Sequence, residues 1–233
     1  MDYFEQKADP IPLRNFFKDS FVFYRRNISI FLPLGFIYGF SQMLADNIYF
    51  SDEQFLGLRL FIQIIINCIA TIIVIYTTFA LGQGLAVGIK EWMAIVRQKL
   101  LLFTGISLIR MFFVGLGFLA FFLPGLYLST IFLFVEVIVI FEYTDVQSVF
   151  QKSVVLVHHV FRKVFSFLMI IISCGVLFIL LFSNLNEQSP LLGKVLSVSF
   201  FVFSPVYMHM AITLLYLRIK QMNVVGQNSE TCT

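Results

Sequence analysis

Apolar residues fall along this chain in six long stretches, at roughly 28–46, 58–81, 100–122, 125–142, 164–183 and 195–217, separated by short polar or mixed connections. A helix that crosses a bilayer needs about 20 mostly apolar residues, so each stretch is a candidate span. The first is the least uniform, with Gln42 near its outer end and Asp46 closing it. The third and fourth meet at Pro124-Gly125. Proline removes a backbone donor and glycine permits a tight turn, so this pair predicts a helical hairpin. One helix over 100–142 would be ~64 Å long at the α-helical rise, about twice the hydrocarbon thickness.

The connections carry a second, shorter period. Leu13, Phe16, Phe17, Phe21 and Tyr24 recur at helical spacing opposite Arg14, Lys18, Asp19 and Arg25. Leu85, Ile89, Trp92, Met93, Val96 and Leu100 repeat the pattern opposite Lys90, Glu91, Arg97 and Gln98, and Val146, Val149, Phe150, Ser153, Val157 and Val160 do so opposite Gln147, Gln151, Lys152 and His159. Basic amphipathic helices of this kind lie in the membrane interface with their apolar face below the headgroups. The alternative is that they extend the spans and pack on one another. An amphipathic segment followed by a hairpin thus occurs three times, from near 13, 84 and 145, which suggests a repeat of ~70 residues.

Charge sets the orientation. Lys7, Arg14, Lys18, Arg25 and Arg26 precede the first stretch; Lys90, Arg97 and Lys99 lie between the second and third; Lys152, Arg162 and Lys163 lie between the fourth and fifth; Arg218 and Lys220 follow the sixth. These are 13 of the 16 basic residues. The opposite connections hold Asp46, Asp52, Glu53 and Glu187, with only Arg59 and Lys194 at their edges. Basic residues stay on the cytoplasmic side, so both termini are expected there. The acidic start, Met1-Asp2-Tyr3-Phe4-Glu5, does not have the form of a removable signal peptide, so the first apolar stretch should stay in the membrane.

Composition agrees with lipid as the solvent. Of 233 residues 59% are hydrophobic and 12% charged, against ~45–50% and ~25% in an ordinary soluble domain. That excludes a soluble enzyme, a disordered chain and a disulfide-stapled secreted domain. A net charge of +3 gives no reason to expect a nucleic-acid partner; the expected partner is the bilayer itself. Cys68, Cys174 and Cys232 form no spaced pair and read as packing residues or tail.

The segment from Pro124 to Lys163 carries a more specific pattern. Pro124-Gly125-Leu126-Tyr127 opens a span, Val137-Ile138-Val139-Ile140-Phe141 closes it before Glu142, and an amphipathic stretch with Lys152-Ser153 and Leu156 follows. This resembles the YciC-like family of bacterial inner-membrane proteins and is similar to the membrane domain attached to some glycerophosphodiester phosphodiesterases. The resemblance implies a multi-pass inner-membrane protein without assigned catalytic residues. It has one departure: the family pattern carries proline in the middle of the fourth span, where this chain has Glu136.

Chemistry-bearing residues are few. Arg110 and Glu136 are the only charges deep within the stretches, ~15 Å and ~10 Å from the basic side by helical rise. A charge at the bilayer centre costs at least ~2.5–3.5 kcal/mol, so the two are expected to pair across the hairpin, as a structural clamp or as part of an ion or proton relay. Gln63 and Asn67, four apart, share a helix face and form a second polar stripe. Glu142, at the helix end, is either a solvated carboxylate or a pin to Lys152 or Arg162. His158-His159 point to different faces, and with His209 alone in the sixth stretch no metal site is expected. Gly35-Phe36-Ile37-Tyr38-Gly39 and Gly84-Leu85-Ala86-Val87-Gly88 have the spacing of close helix contacts. No catalytic set and no cofactor motif appears.

The sequence therefore predicts an all-α polytopic membrane domain over 1–220, with six transmembrane helices, interfacial amphipathic helices and a polar cytoplasmic tail from 221 to 233. The function it favours is a non-catalytic membrane component that organises lipid or supports a partner. The rival is a small transporter or channel built on Arg110, Glu136, Gln63, Asn67 and a kink at Pro205.

Overall fold

The computed structural model describes residues 13–47, 56–142, 145–188 and 190–230. Lys7, Asp52, Glu53 and Cys232 lie outside them, as do the side chains of Arg14, Gln42, Asp46, Arg59, Glu187 and Lys194. The described residues form nine helices: α1 (Leu13–Arg26), α2 (Ile28–Asn47), α3 (Leu56–Gly82), α4 (Ile89–Ala120), α5 (Phe122–Ile131), α6 (Val135–Phe141), α7 (Val146–His158), α8 (Phe161–Gln188) and α9 (Pro190–Glu230). The described residues are all-helical, without strands. Five stretches are long and apolar enough to cross a membrane: Leu60–Gly82, Ile89–Ala120, Phe122–Phe141, Phe161–Leu181 and Val202–Gln221. The first expected span corresponds to α2, whose described apolar part, Ile28–Phe40, is shorter.

Three boundaries differ from those the sequence suggests. The second amphipathic segment is not a separate helix. It is the first third of α4, a continuous 32-residue helix ~48 Å long, because no proline or glycine interrupts the chain between Ile89 and Leu100. The hairpin turns at Phe121, whose extended backbone (φ −167°, ψ 157°) separates α4 from α5, and Pro124 sits inside the first turn of α5. That position is tolerated because the first N–H groups of a helix have no intrahelical partner to lose. Residues 221–230, expected as a tail, continue α9, which also runs through Pro205.

A fourth difference explains how the Phe122–Phe141 stretch is held. Between α5 and α6 the ladder tightens, and Val135 N–H bonds the carbonyl of Phe132 rather than that of Ile131. Ser129 and Thr130, just before, turn their hydroxyls back to the carbonyls of Gly125 and Leu126, a pattern that bends helices. The freed Ile131 carbonyl accepts the buried Ser153 hydroxyl of α7 at 2.7 Å. At the other end of α6, the Val139 carbonyl accepts the Lys99 ammonium of α4 at 2.9 Å. A cation on the last carbonyls of a helix is the favourable sign. Both orphaned carbonyls thus have side-chain donors.

Around this element, α3 and α9 form the centre, with α2 packed on both, α4 against α3 and α5, and α8 against α9. The buried side chains Phe31, Ile72, Phe103, Phe134, Met210 and Leu215 join these helices in one core. Exposed apolar residues cover the outer faces of α4 and α8, such as Leu101, Met111 and Leu119, and Val176, Leu177 and Ile179. Surfaces of that extent need lipid or protein against them. The short helices pack on the bundle: α7 through Val149, Ser153 and Val157, and α1 through Phe16, Ser20, Phe23 and Tyr24. Phe21, expected on the inner face of α1, points outward with Val22.

Close backbone approaches depend on glycine. A Cβ on Gly117 of α4 would stand 2.9 Å from Gly125 Cα and 2.8 Å from Leu128 Cδ1, and one on Gly35 of α2 would meet the Val202 carbonyl of α9. Gly35 and Gly39 thus form a helix contact, whereas Gly84 (φ +73°) belongs to the turn after α3. Alanine at Gly117 or Gly35 should destabilise the detergent-solubilised protein by ~1–3 kcal/mol, as overpacking does. Alanine at Gly105 or Gly115, which face open space, should leave the melting temperature within error of wild type.

Candidate functional site

The hairpin places α6 beside α4, and this contact brings the two deep charges together. Arg110 Nη2 lies 2.7 Å from Glu136 Oε1, with the carboxylate side chain 11% and the guanidinium side chain 31% exposed. Glu136 is the more enclosed partner, on a helix that touches α3, α4 and α9. Arg110 Nε, and the hydroxyl of Ser107 one turn away, are buried without a partner among the described residues.

The second carboxylate oxygen faces α9. His209 Nδ1 stands 3.8 Å from Glu136 Oε2, and the imidazole stacks on Tyr38 of α2 at 6.3 Å between centroids and 14° between planes. The Tyr38 hydroxyl shares a 2.6 Å hydrogen bond with Thr71 of α3. Polar groups therefore run in sequence from α4 through α6, α9 and α2 to α3, inside the bundle. Sequence reasoning sets His209 aside and does not single out Tyr38 or Thr71. Their only signal is polarity within apolar stretches, and that period cannot say which stretches touch.

Gln63 and Asn67 lie one turn apart on α3, half-buried, and neither is without a partner. Asn67 precedes Thr71 by one helical turn, so the stripe and the Tyr38–Thr71 contact belong to one α3 face.

Glu142 terminates α6. Lys152 of α7 donates to Oε2 at 2.7 Å, Lys220 of α9 to Oε1 at 2.9 Å, and the Tyr216 hydroxyl to Oε1 at 3.1 Å. One carboxylate thus joins three helices. Lys152 is one of the two partners that the sequence suggests, while Lys220 and Tyr216 come from a helix more than seventy residues away. Burial pushes this carboxyl up, but the hydrogen bonds from Lys152 and Lys220, the Lys220 charge and the Tyr216 hydroxyl outweigh it and hold it at about 2, below its ordinary 4.5. A similar pin ties α1 to α9: Arg218 Nη2 lies 2.9 Å from Asp19 Oδ2, with the guanidinium over the Phe16 ring.

Among the described residues no group of three His, Cys, Asp or Glu side chains could hold a metal ion, and no nucleophile with an adjacent base stands out. What the arrangement can do is neutralise and position charge. Comparison of the chain with protein-family models, curated proteins and solved structures returned no match.

Two outcomes are expected. Glu136→Gln leaves the Arg110 charge without its counter-ion in hydrocarbon and should lower stability by ~2.5–3.5 kcal/mol; adding Arg110→Gln should restore most of it, read as a double-mutant cycle on thermal unfolding in detergent. For Glu142, the folded-state value lies below the unfolded one, so its stabilisation is complete above pH 4.5 and is lost as pH falls toward 2. Wild type should therefore lose melting temperature faster than Glu142→Gln over that interval.

Proposed function

We propose that this chain is a six-span, non-catalytic component of a bacterial inner membrane, with both termini in the cytoplasm. Its role is to organise lipid or to support a partner protein. The observation that carries the reading is the mutual neutralisation of Arg110 and Glu136 at 2.7 Å. The two opposite charges inside these stretches neutralise each other across the contact between α4 and α6 that holds the fourth span in place. α2 supplies the first of the six crossings, and its burial against α3 and α9 agrees with a place inside the bundle.

The outward apolar side chains Phe21 and Val22 of α1 and Val155 of α7, beside the basic residues of the same helices, suit the headgroup boundary. α1 and α7 are then interfacial helices whose inner faces pack on protein and whose outer faces meet lipid. The basic ends of α1, α4, α7 and α9 suit the cytoplasmic side. The likeness of 124–163 to the YciC-like family agrees with this placement.

A second reading, a small transporter, draws on the polar succession from Arg110 to Thr71 and on the partnerless Arg110 Nε and Ser107 hydroxyl. One measurement tests the topology and a second separates the readings. Reporter fusions at both ends should report the cytoplasm, and opposite faces would refute the six-span topology. In proteoliposomes under a pH gradient, wild type and Glu136→Gln should leak protons no faster than protein-free vesicles. A flux present in wild type and absent in Glu136→Gln would establish the transporter instead.

A further inference from the structure

Between the ends of α3, α4, α6 and α9, on the basic side of the bundle, lies a cleft of about 340 Å³. That volume is within the range of small-ligand sites, ~300–1,000 Å³. Phe79, Phe141 and Tyr216 form an aromatic wall, with Phe79 and Phe141 4.4 Å apart and Phe141 and Tyr216 stacked at 17°. Ile95 and Ile140 complete the apolar lining, and Lys220 stands at the cleft with its ammonium 5.7 Å from the Tyr216 ring centroid.

We propose that this cleft binds one anionic phospholipid, with hydrocarbon against the aromatic wall and the phosphate at Lys220, the basic residue that lines it, next to the carboxylate that Lys220 shares with Lys152. Charge complementarity chooses the occupant. Lys152 and Lys220 share the single carboxylate of Glu142, so two positive charges meet one negative charge and the node keeps a net charge of +1. A phosphodiester carries the one negative charge that completes it, and Glu142 already holds both ammonium groups at the mouth of the cleft. The walls require the rest of the ligand to be apolar. A free phosphate would leave the aromatic wall bare, and an uncharged lipid would leave the node unbalanced. Phospholipid is also the amphiphile that surrounds the chain at this depth. The inference needs only that the helices are embedded in lipid, so it stands whether the protein supports a partner or moves a solute.

The test is native mass spectrometry of the purified full chain in detergent, titrated with phosphatidylglycerol or phosphatidylcholine of the same acyl chains. Wild type should retain one phosphatidylglycerol in clear preference to phosphatidylcholine. Lys220→Gln keeps the Lys152–Glu142 bond and should reduce that preference about fivefold, the usual contribution of one basic residue at an anionic lipid surface. Ile95→Trp fills the cleft without changing charge and should reduce retention of both lipids. The sole tryptophan, Trp92, donates to Thr77 beside the cleft-lining Tyr76, so quenching by bromine-labelled phosphatidylglycerol should be stronger in wild type than in Lys220→Gln. Equal retention of the two lipids by wild type overturns the proposal, as does unchanged selectivity in Lys220→Gln or unchanged retention in Ile95→Trp. Retention of inorganic phosphate in place of lipid would also overturn it.

Discussion

Inside hydrocarbon a charge, or a helix carbonyl that has lost its donor, cannot turn to water, and this chain concentrates three such debts on one element. The Phe122–Phe141 stretch bends between α5 and α6, stops at Glu142 and carries a carboxylate in the first turn of α6. Two neighbours answer them: Ser153 on α7 for the Ile131 carbonyl, and Lys99 and Arg110 on α4 for the Val139 carbonyl and Glu136. Apolar contact between helices gives little net drive when the solvent is itself apolar. Donors placed against specific acceptors therefore contribute disproportionately to where α4, α6 and α7 sit.

The same reasoning separates what the sequence displays from what it hides. Helical character and the apolar stretches follow directly from composition and period, and α1 and α7 begin and end close to where their amphipathic patterns do. The hairpin is legible in Pro124-Gly125, though its turn falls three residues earlier, since proline is tolerated in a first helical turn. The fusion of the second amphipathic segment into α4 is not legible, because periodicity records which face is apolar and not whether the helix stops. That Arg110 and Glu136 meet is legible from their isolation and from the hairpin between them. The contributions of α9, namely His209, Tyr216 and Lys220, are not. They come from a distant segment whose position depends on tertiary packing alone.

Glycine and polar pins divide the work of assembly. Gly117 and Gly35 let backbones approach where any side chain would hold them apart, and such contacts fix distance without fixing charge. Asp19–Arg218 and the Glu142 node act at the basic ends, where α1 and α7 fold back on the bundle. Close backbone contact and the Arg110–Glu136 pair thus act together within the apolar stretches, while the exposed pins at the basic ends form where partial hydration makes an ionic contact less costly.

The length of α9 has a mechanical consequence. At 41 residues it extends ~60 Å, and its final turns project past Lys220 on the basic side. A twist or pull applied to that end would load Arg218–Asp19 and Lys220–Glu142 first, and through them α1 and α6. The helix is built as a shaft with two linkages at its collar, so force on the C-terminal turns is delivered to the bundle rather than dissipated in a flexible joint.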